Sequence, residues 1–198
     1  MHWNKLSQLL FFSNNKNKII EVKKIFNKFN LELLSLNDLN INEDPEESGQ
    51  TFEENAKIKS DYGFNKTGIP CFADDSGICI ESLNWKPGVL SKRFLTNFKS
   101  NQACFESIIK STKKNSKQNA YFKTSISLSV KDSQNVIFNG KIDGKISIQA
   151  KGKFGFGYDP IFIPKNYNKT LAELSTKEKN EISHRSIAVT KLINFLIN

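Results

Sequence analysis

Histidine is almost missing from this chain: two stand among 198 residues, and one of them is His2. That scarcity removes the imidazole-rich metal centres. The three cysteines (Cys71, Cys79, Cys104) show no CxxC pairing, so a zinc site has no basis either. An odd number of unpaired thiols also argues against a disulfide framework, and buried, reduced cysteines are expected. Long apolar runs are absent, the longest falling far short of the ~20 residues that a membrane helix needs. Leu9-Leu10-Phe11-Phe12 is too short for a signal-peptide core and no small-residue cleavage site follows it, so the cytoplasm is the expected compartment. No repeat, long linker or low-complexity tract is seen.

Arginine is nearly as rare. Of 29 basic residues only Arg93 and Arg185 are arginine, a scarcity read either as chance or as two places that need a planar five-donor fork rather than a point charge. The net charge of +9 is carried by lysines scattered along the chain, without a block of five or six. A diffuse field of this kind draws in a small polyanion such as a nucleotide. A non-catalytic, basic nucleic-acid-binding protein is the alternative, and it predicts steep salt dependence.

The chain is long enough to bury a substantial core as one domain, and its 38% hydrophobic content fits a globular protein. Leu9 to Phe12 predicts a short buried strand. A polar turn, Ser13 to Lys18, leads into a helix whose apolar residues Ile19, Ile20, Val22, Ile25, Phe26 and Phe29 recur at helical spacing. Leu31 to Leu36 predicts a second strand. Thr51 with Glu54 is a capping box opening a helix that Gly63 should stop, with Asn55 and Lys59 on one face. Asn101 to Lys110 predicts a helix. Tyr121 to Val130 and Asn135 to Ile148 predict antiparallel strands, with turns at Lys131-Asp132 and Asp143-Gly144. Ser183 to Leu196 predicts the last helix. Both periods together predict an α/β fold.

The chemistry centres on Ala73-Asp74-Asp75-Ser76-Gly77. Adjacent carboxylates bracketed by apolar runs are expected at a strand end, where α/β proteins place their chemistry, and they suit a divalent cation, a general base or both. A second acidic cluster, Glu43 to Glu47, precedes the Thr51 helix. Ser13-x-Asn15-x-x-Lys18 opens a helix and can bind phosphate, although it lacks the Gly-rich Walker pattern and also suits an ordinary cap. Phe156-Gly157-Tyr158-Asp159 offers a stacking face and a carboxylate for a base, or simply core aromatics beside a turn. Ser183-His184-Arg185 places the internal histidine beside one of the two arginines, at a helix start where a bland reading leaves both solvated.

Taken in order with Glu47-x-x-x-Thr51-Phe52-x-x-Asn55-Ala56-x-x-Lys59, Pro87-Gly88-x-x-Ser91-x-Arg93-Phe94 and Glu178-Lys179-x-x-Ile182-Ser183, these segments resemble the inosine triphosphate pyrophosphatase family over roughly residues 9 to 195. The resemblance implies a homodimer of α/β subunits, each one domain (1–198) with an elongated mixed sheet, flanking helices, two lobes and a central substrate cleft. Residues 1–8 precede the family start as an extension. It implies Mg²⁺-dependent hydrolysis of ITP, dITP or XTP to the monophosphate and pyrophosphate, with neither nucleic acid nor membrane as partner. By position, Ser13, Asn14, Asn15, Lys16, Asn17 and Lys18 match the phosphate loop. Glu47 and Asp75 match the metal ligands, and Asp75 the catalytic base. Ser76, Lys59 and Lys179 match substrate contacts, Phe156, Gly157, Tyr158 and Asp159 the base-binding loop, and His184 and Arg185 the purine edge. Asn14 and Asn17 stand where the family commonly has Gly, and Asn84-Trp85-Lys86 replaces a Gly-rich approach to Pro87-Gly88. A related pyrophosphatase for modified pyrimidine nucleotides is the second enzymatic alternative.

Overall fold

In the computed structural model, which describes residues 8–29, 31–131 and 134–198, the Leu9 to Phe12 run holds strand β1 (Leu10–Phe11). Asn15 then caps helix α1 (Lys16–Asn27), followed by β2 (Leu34–Ser35), α2 (Phe52–Thr67) and the long strand β3 (Cys71–Ile80). Next come β4 (Lys86–Pro87), α3 (Ser91–Thr96), α4 (Asn101–Asn115), β5 (Asn119–Ser129) and β6 (Val136–Ile146). The chain closes with β7 (Phe162–Pro164), α5 (Thr176–Ile182) and α6 (His184–Ile197). The sheet order is β2-β1-β3-β5-β6-β7, with β4 on β3. β1 pairs in parallel with β2 and β3, whereas β3–β4 and β6–β7 are antiparallel, so the sheet is mixed as expected.

The chain divides into two compact units. The first comprises Met1–Asp75, Thr124–Gly140 and Arg185–Asn198; the second comprises Ser76–Lys123 and Lys141–His184. Strands β3, β5 and β6 each contribute residues to both.

In the first unit, strand alternation sorts the core into two faces. Phe11 and Phe72 stack at 4.8 Å, and Phe26 of α1 stacks on Phe72 at 5.6 Å, with Val22, Ile25, Val189 and Leu192 around them. Leu10, Phe12, Cys71 and Ala73 turn the other way and pack beside Tyr62 and Phe64 of α2. In the second unit, Ile78, Ile80, Phe122 and Phe162 form a core with Cys104, Phe105 and Ile108 of α4. All three cysteines are buried and free, as their spacing predicted.

Several expectations give way. Asp74 and Asp75 lie inside β3 rather than at a strand end, because the strand runs on through Ile78 and Ile80 into the second core. Helix α2 passes through Gly63 and stops at Gly68, whose φ of 69° is left-handed. Gly63 is there for close approach: an added Cβ would meet Cys71 Sγ at 2.5 Å and the Phe12 ring at 2.6 Å. Asp143-Gly144 is not a turn, since β6 continues through it and Gly144 pairs with Pro164. The second strand shrinks to Leu34–Ser35, and Ile20 and Phe29 of the α1 pattern are exposed. Asp132 of the expected turn, and residues 1–7 of the expected extension, lie outside the described residues.

Candidate functional site

The pleat of β3 decides what its two acids do. Adjacent strand residues point to opposite faces, so Asp74 joins the Phe72 face and Asp75 the Ala73 face. On the first face, Lys18 Nζ lies 3.1 Å and Arg185 Nε 3.2 Å from the Asp74 carboxylate, and Arg185 Nη1 lies 2.5 Å from Glu21 Oε2. Arg185 is 2% exposed. The bland reading of a solvated residue is therefore overturned: α6 begins with His184 and Arg185 both buried, and Ser183 precedes it as the end of α5.

On the second face, Asn55 Nδ2 donates to Asp75 Oδ2 at 3.1 Å, and Lys59 Nζ donates to Glu47 Oε1 at 2.5 Å. Asn55 and Lys59 reach this face because they are one helical turn apart on α2. The Asn55 carbonyl oxygen also accepts from Gly49 N at 2.8 Å, tying the acidic loop to the helix. Burial pushes the Asp75 carboxyl above its ordinary pKa, with Lys59 and Lys18 pulling the other way. Burial lowers Lys18 despite Asp74. It acts in the same sense on Lys59, but Asp75, Asp74 and Glu47 outweigh it and hold that lysine above its usual range.

The phosphate-loop candidates divide. Asn15 Oδ1 accepts from Asn17 N at 3.0 Å and Lys18 N at 3.2 Å, which makes Asn15 the helix cap, and Ser13 Oγ accepts from Asn15 N. Asn14, Lys16 and Asn17 are exposed. Glu46 is exposed, while Glu47 is the acid held by Lys59.

The second unit gathers the aromatic candidates. Asp159 Oδ2 accepts from Phe156 N at 2.8 Å and from Lys179 Nζ at 2.6 Å, with both charged side chains almost fully buried. Lys179 Nζ also sits 4.7 Å from the Phe156 ring centroid. Gly155 and Gly157 take φ of 74° and 61°, and a Cβ on Gly155 would strike the Asp159 carboxylate at 2.1 Å. Tyr158 instead turns into the core, donating to Ser91 O at 2.8 Å. The His184 ring stacks on Phe122 at 4.7 Å and 9°. Ser76 follows Asp75 on β3, half-buried. Ser91 serves the backbone: Ile78 N donates to its hydroxyl at 2.9 Å, and the hydroxyl donates to Gly88 O at 2.6 Å.

The pattern of the Ham1 family matches residues 9–195. The chain belongs to the Ham1 family. It is 44% identical over 189 residues to a dITP/XTP pyrophosphatase of Christiangramia forsetii, covering 96% of this chain and 98% of that one. It is 39% identical over 191 residues to the dITP/XTP pyrophosphatase of Bacillus anthracis, covering 94% and 95%. Its fold is similar to the Ham1 protein of Staphylococcus aureus, with a TM-score of 0.84 at 36% identity, and to that of Coxiella burnetii, with 0.85 at 34%; each covers 96% of this chain and 98% of the other. The resemblance drawn from the ordered motifs is thereby borne out. Among the described residues no helix is long and apolar enough to cross a membrane.

Sequence reasoning missed two partners in this Ham1 chain. Glu21 is buried against Arg185, and its signal was an acid beside Val22 on the apolar stripe of α1. Phe122 under His184 left no signal, because a core aromatic on a strand looks the same whatever stacks on it.

Proposed function

We propose that this Ham1 chain hydrolyses non-canonical purine nucleoside triphosphates (ITP, dITP, XTP) to the nucleoside monophosphate and pyrophosphate, clearing deaminated purines from the nucleotide pool. The observation that carries the reading is the division of Asp74 and Asp75: one acid is locked to Lys18 and Arg185, while the other stands with Asn55, Lys59 and Glu47. The names of the relatives support it.

Magnesium fits the donors present. Glu47 and Asp75 are hard oxygen ligands that both interact with the charge of Lys59, and Mg²⁺ takes one or two carboxylates, keeping water and phosphate oxygens for the rest. Among the described residues no group of three or more His, Cys, Asp or Glu side chains is placed to hold a metal ion. When bound, Mg²⁺ would supply charge neutralisation on the phosphate oxygens.

The chain's own residues do the remainder. Asp75 takes the proton of the water that attacks the phosphorus between nucleoside and leaving pyrophosphate. Lys59 and Lys18 stabilise charge growing on the phosphate oxygens, with the α1 terminus and Ser13 to Asn17 receiving the phosphates and Ser76 a further contact. Phe156 stacks the base, and Lys179 and Asp159 hold that loop rigid. His184 and Arg185 serve the purine edge, donating to the 6-oxo group of inosine or xanthosine and meeting the 6-amino group of adenosine donor to donor. Arg185 comes to that task already oriented by Glu21 and Asp74. We take the active form as a cytoplasmic homodimer, which light scattering on the purified protein checks.

A nucleotide panel assayed for pyrophosphate with and without Mg²⁺ tests the reading. Release from ITP that needs Mg²⁺ and is absent from ATP is expected. Equal turnover of ATP and ITP sinks the specificity, and preference for modified pyrimidine nucleotides favours the other enzyme class.

A further inference from the structure

The second unit also carries a groove of about 690 Å³ whose lining includes none of the residues assigned to hydrolysis. Strand alternation builds it. Ala120, Phe122 and Ile146 face the core, so their neighbours Tyr121 and Lys145, with Lys141 on β6, present the opposite face of the sheet. Trp85 and Tyr167 complete its aromatic wall, and Lys165 adds a third ammonium.

Three observations point to a ligand. First, Trp85 holds φ of 64°, a region that bulky L residues almost never adopt, yet the residue is 46% exposed. A strained backbone that delivers an exposed indole to a groove is the kind of outlier found at binding sites. Second, the ring lies 5.5 Å from Tyr121 at an interplanar angle of 32°, so two aromatic faces stand side by side along the groove. Third, the charge is one-sided. Lys141 Nζ sits 4.5 Å from the centre of the Tyr121 ring and pairs with Asp143 at 2.7 Å, which leaves the positive charge of Lys145 and Lys165 uncancelled by that acid.

We propose that this groove is a second binding site, for a free mononucleotide: its base stacks on Trp85 and Tyr121, and its phosphate is held by Lys145 and Lys165. Aromatic faces interleaved with lysines are how proteins hold bases and phosphates without reading sequence, and the volume is that of a small-molecule pocket.

The test uses the full chain with Trp3→Phe, so that Trp85 is the sole tryptophan. AMP, which has no anhydride to cleave, is titrated while Trp85 emission is followed. A saturable quench is expected. It persists in Phe156→Ala and weakens about tenfold in Lys165→Ala, from loss of a phosphate contact. In Trp85→Gly, calorimetry should show binding weakened about tenfold or more, from the lost stacking, with Tm unchanged or raised because Gly accepts this φ. A Tm that does not fall separates lost binding from misfolding. The proposal is overturned by the absence of saturation, by loss of the quench in Phe156→Ala, or by an equal quench with inorganic phosphate. It is also overturned by tighter binding of a single-stranded hexanucleotide, which assigns the groove to nucleic acid. Emission that follows protein concentration instead of AMP overturns it in favour of a second copy covering Trp85.

Discussion

The two units bury charge in different ways. In the first, acids and bases form sets with more than one partner each: Asp74 has Lys18 and Arg185, and Arg185 has Asp74 and Glu21. In the second, Asp159 and Lys179 form one tight pair beneath the aromatic loop. Shared partners let one charge be removed while the others stay compensated, which suits a place where charge must be handled during a reaction. The Asp159–Lys179 pair, with Phe156 touching both members, is a clamp, and it suits a place where a shape must be held.

The largest expected effect tests that division at the level of rate. Asp75→Asn keeps the side-chain volume but removes the proton acceptor and a proposed metal ligand, so ITP hydrolysis should fall about 10³-fold. Phe156→Ala should chiefly raise KM, leaving kcat within a few-fold, because it removes a contact made equally before and during reaction. Steady-state kinetics of both variants decides. If Phe156→Ala lowers kcat as much as Asp75→Asn does, the units do not divide the labour.

The next effect concerns stability. Lys179→Met takes away the ammonium that stands 2.6 Å from the buried Asp159 carboxylate, a change that costs about 3 kcal/mol or more. Lys18→Met should cost less, since Asp74 keeps Arg185. Urea denaturation of the two variants compares them directly, and equal losses would remove the distinction between network and clamp.

A subtler handle lies in pH. Burial holds the Asp75 carboxyl above its ordinary pKa, while the Asn55 amide stabilises the ionised form. A metal needs the carboxylate ionised, so Mg²⁺ affinity should fall as pH drops through that raised value. Asn55→Ala removes a stabiliser of the anion and should move the midpoint further up, whereas Phe156→Ala in the other unit should leave it in place. Calorimetric titration across the acid range measures it, and a midpoint that moves down in Asn55→Ala contradicts the assignment.

How much of this was legible beforehand follows from what kind of signal each element leaves. The α1 cap at Asn15, the Thr51 box and the mixed sheet were visible because caps and periodicity are local. The two acidic clusters were visible because acids stand out in a basic chain, while the choice of Asp75 and Glu47 within them came from the family resemblance. Gly63 was misread as a stop, since a sequence cannot tell a glycine that ends a helix from one that lets Cys71 and Phe12 come close. The turn at Asp143-Gly144 failed for a similar reason: Asp-Gly is a hairpin signal, but here the missing Cβ makes room for Ile163 O on β7. Asp74 was placed at a strand end because the second core, which draws β3 onward, is built by residues far away in the chain.

The smallest effect sharpens the comparison most finely, because both units open a site-bearing helix with the same device. Thr51 and Glu54 cap α2, which carries Asn55 and Lys59; Ser175 and Glu178 cap α5, which carries Lys179. Removing either hydroxyl should cost about 1 kcal/mol. The helices differ in what else holds them. α2 has 16 residues and a buried face including Phe52, Ala56 and Ser60, whereas α5 has seven residues with Lys179 and Asn180 as its buried ones. A seven-residue helix has few propagating bonds to set against its nucleation cost, so losing the cap loosens a larger part of it, and Lys179 with it. Thr51→Ala should therefore lower Tm modestly and leave kinetics unchanged, while Ser175→Ala should lower Tm to a similar degree and also raise KM for ITP about twofold, the scale of a partly frayed contact. Equal KM values for the two variants would mean that Asp159 holds Lys179 in place without help from the helix.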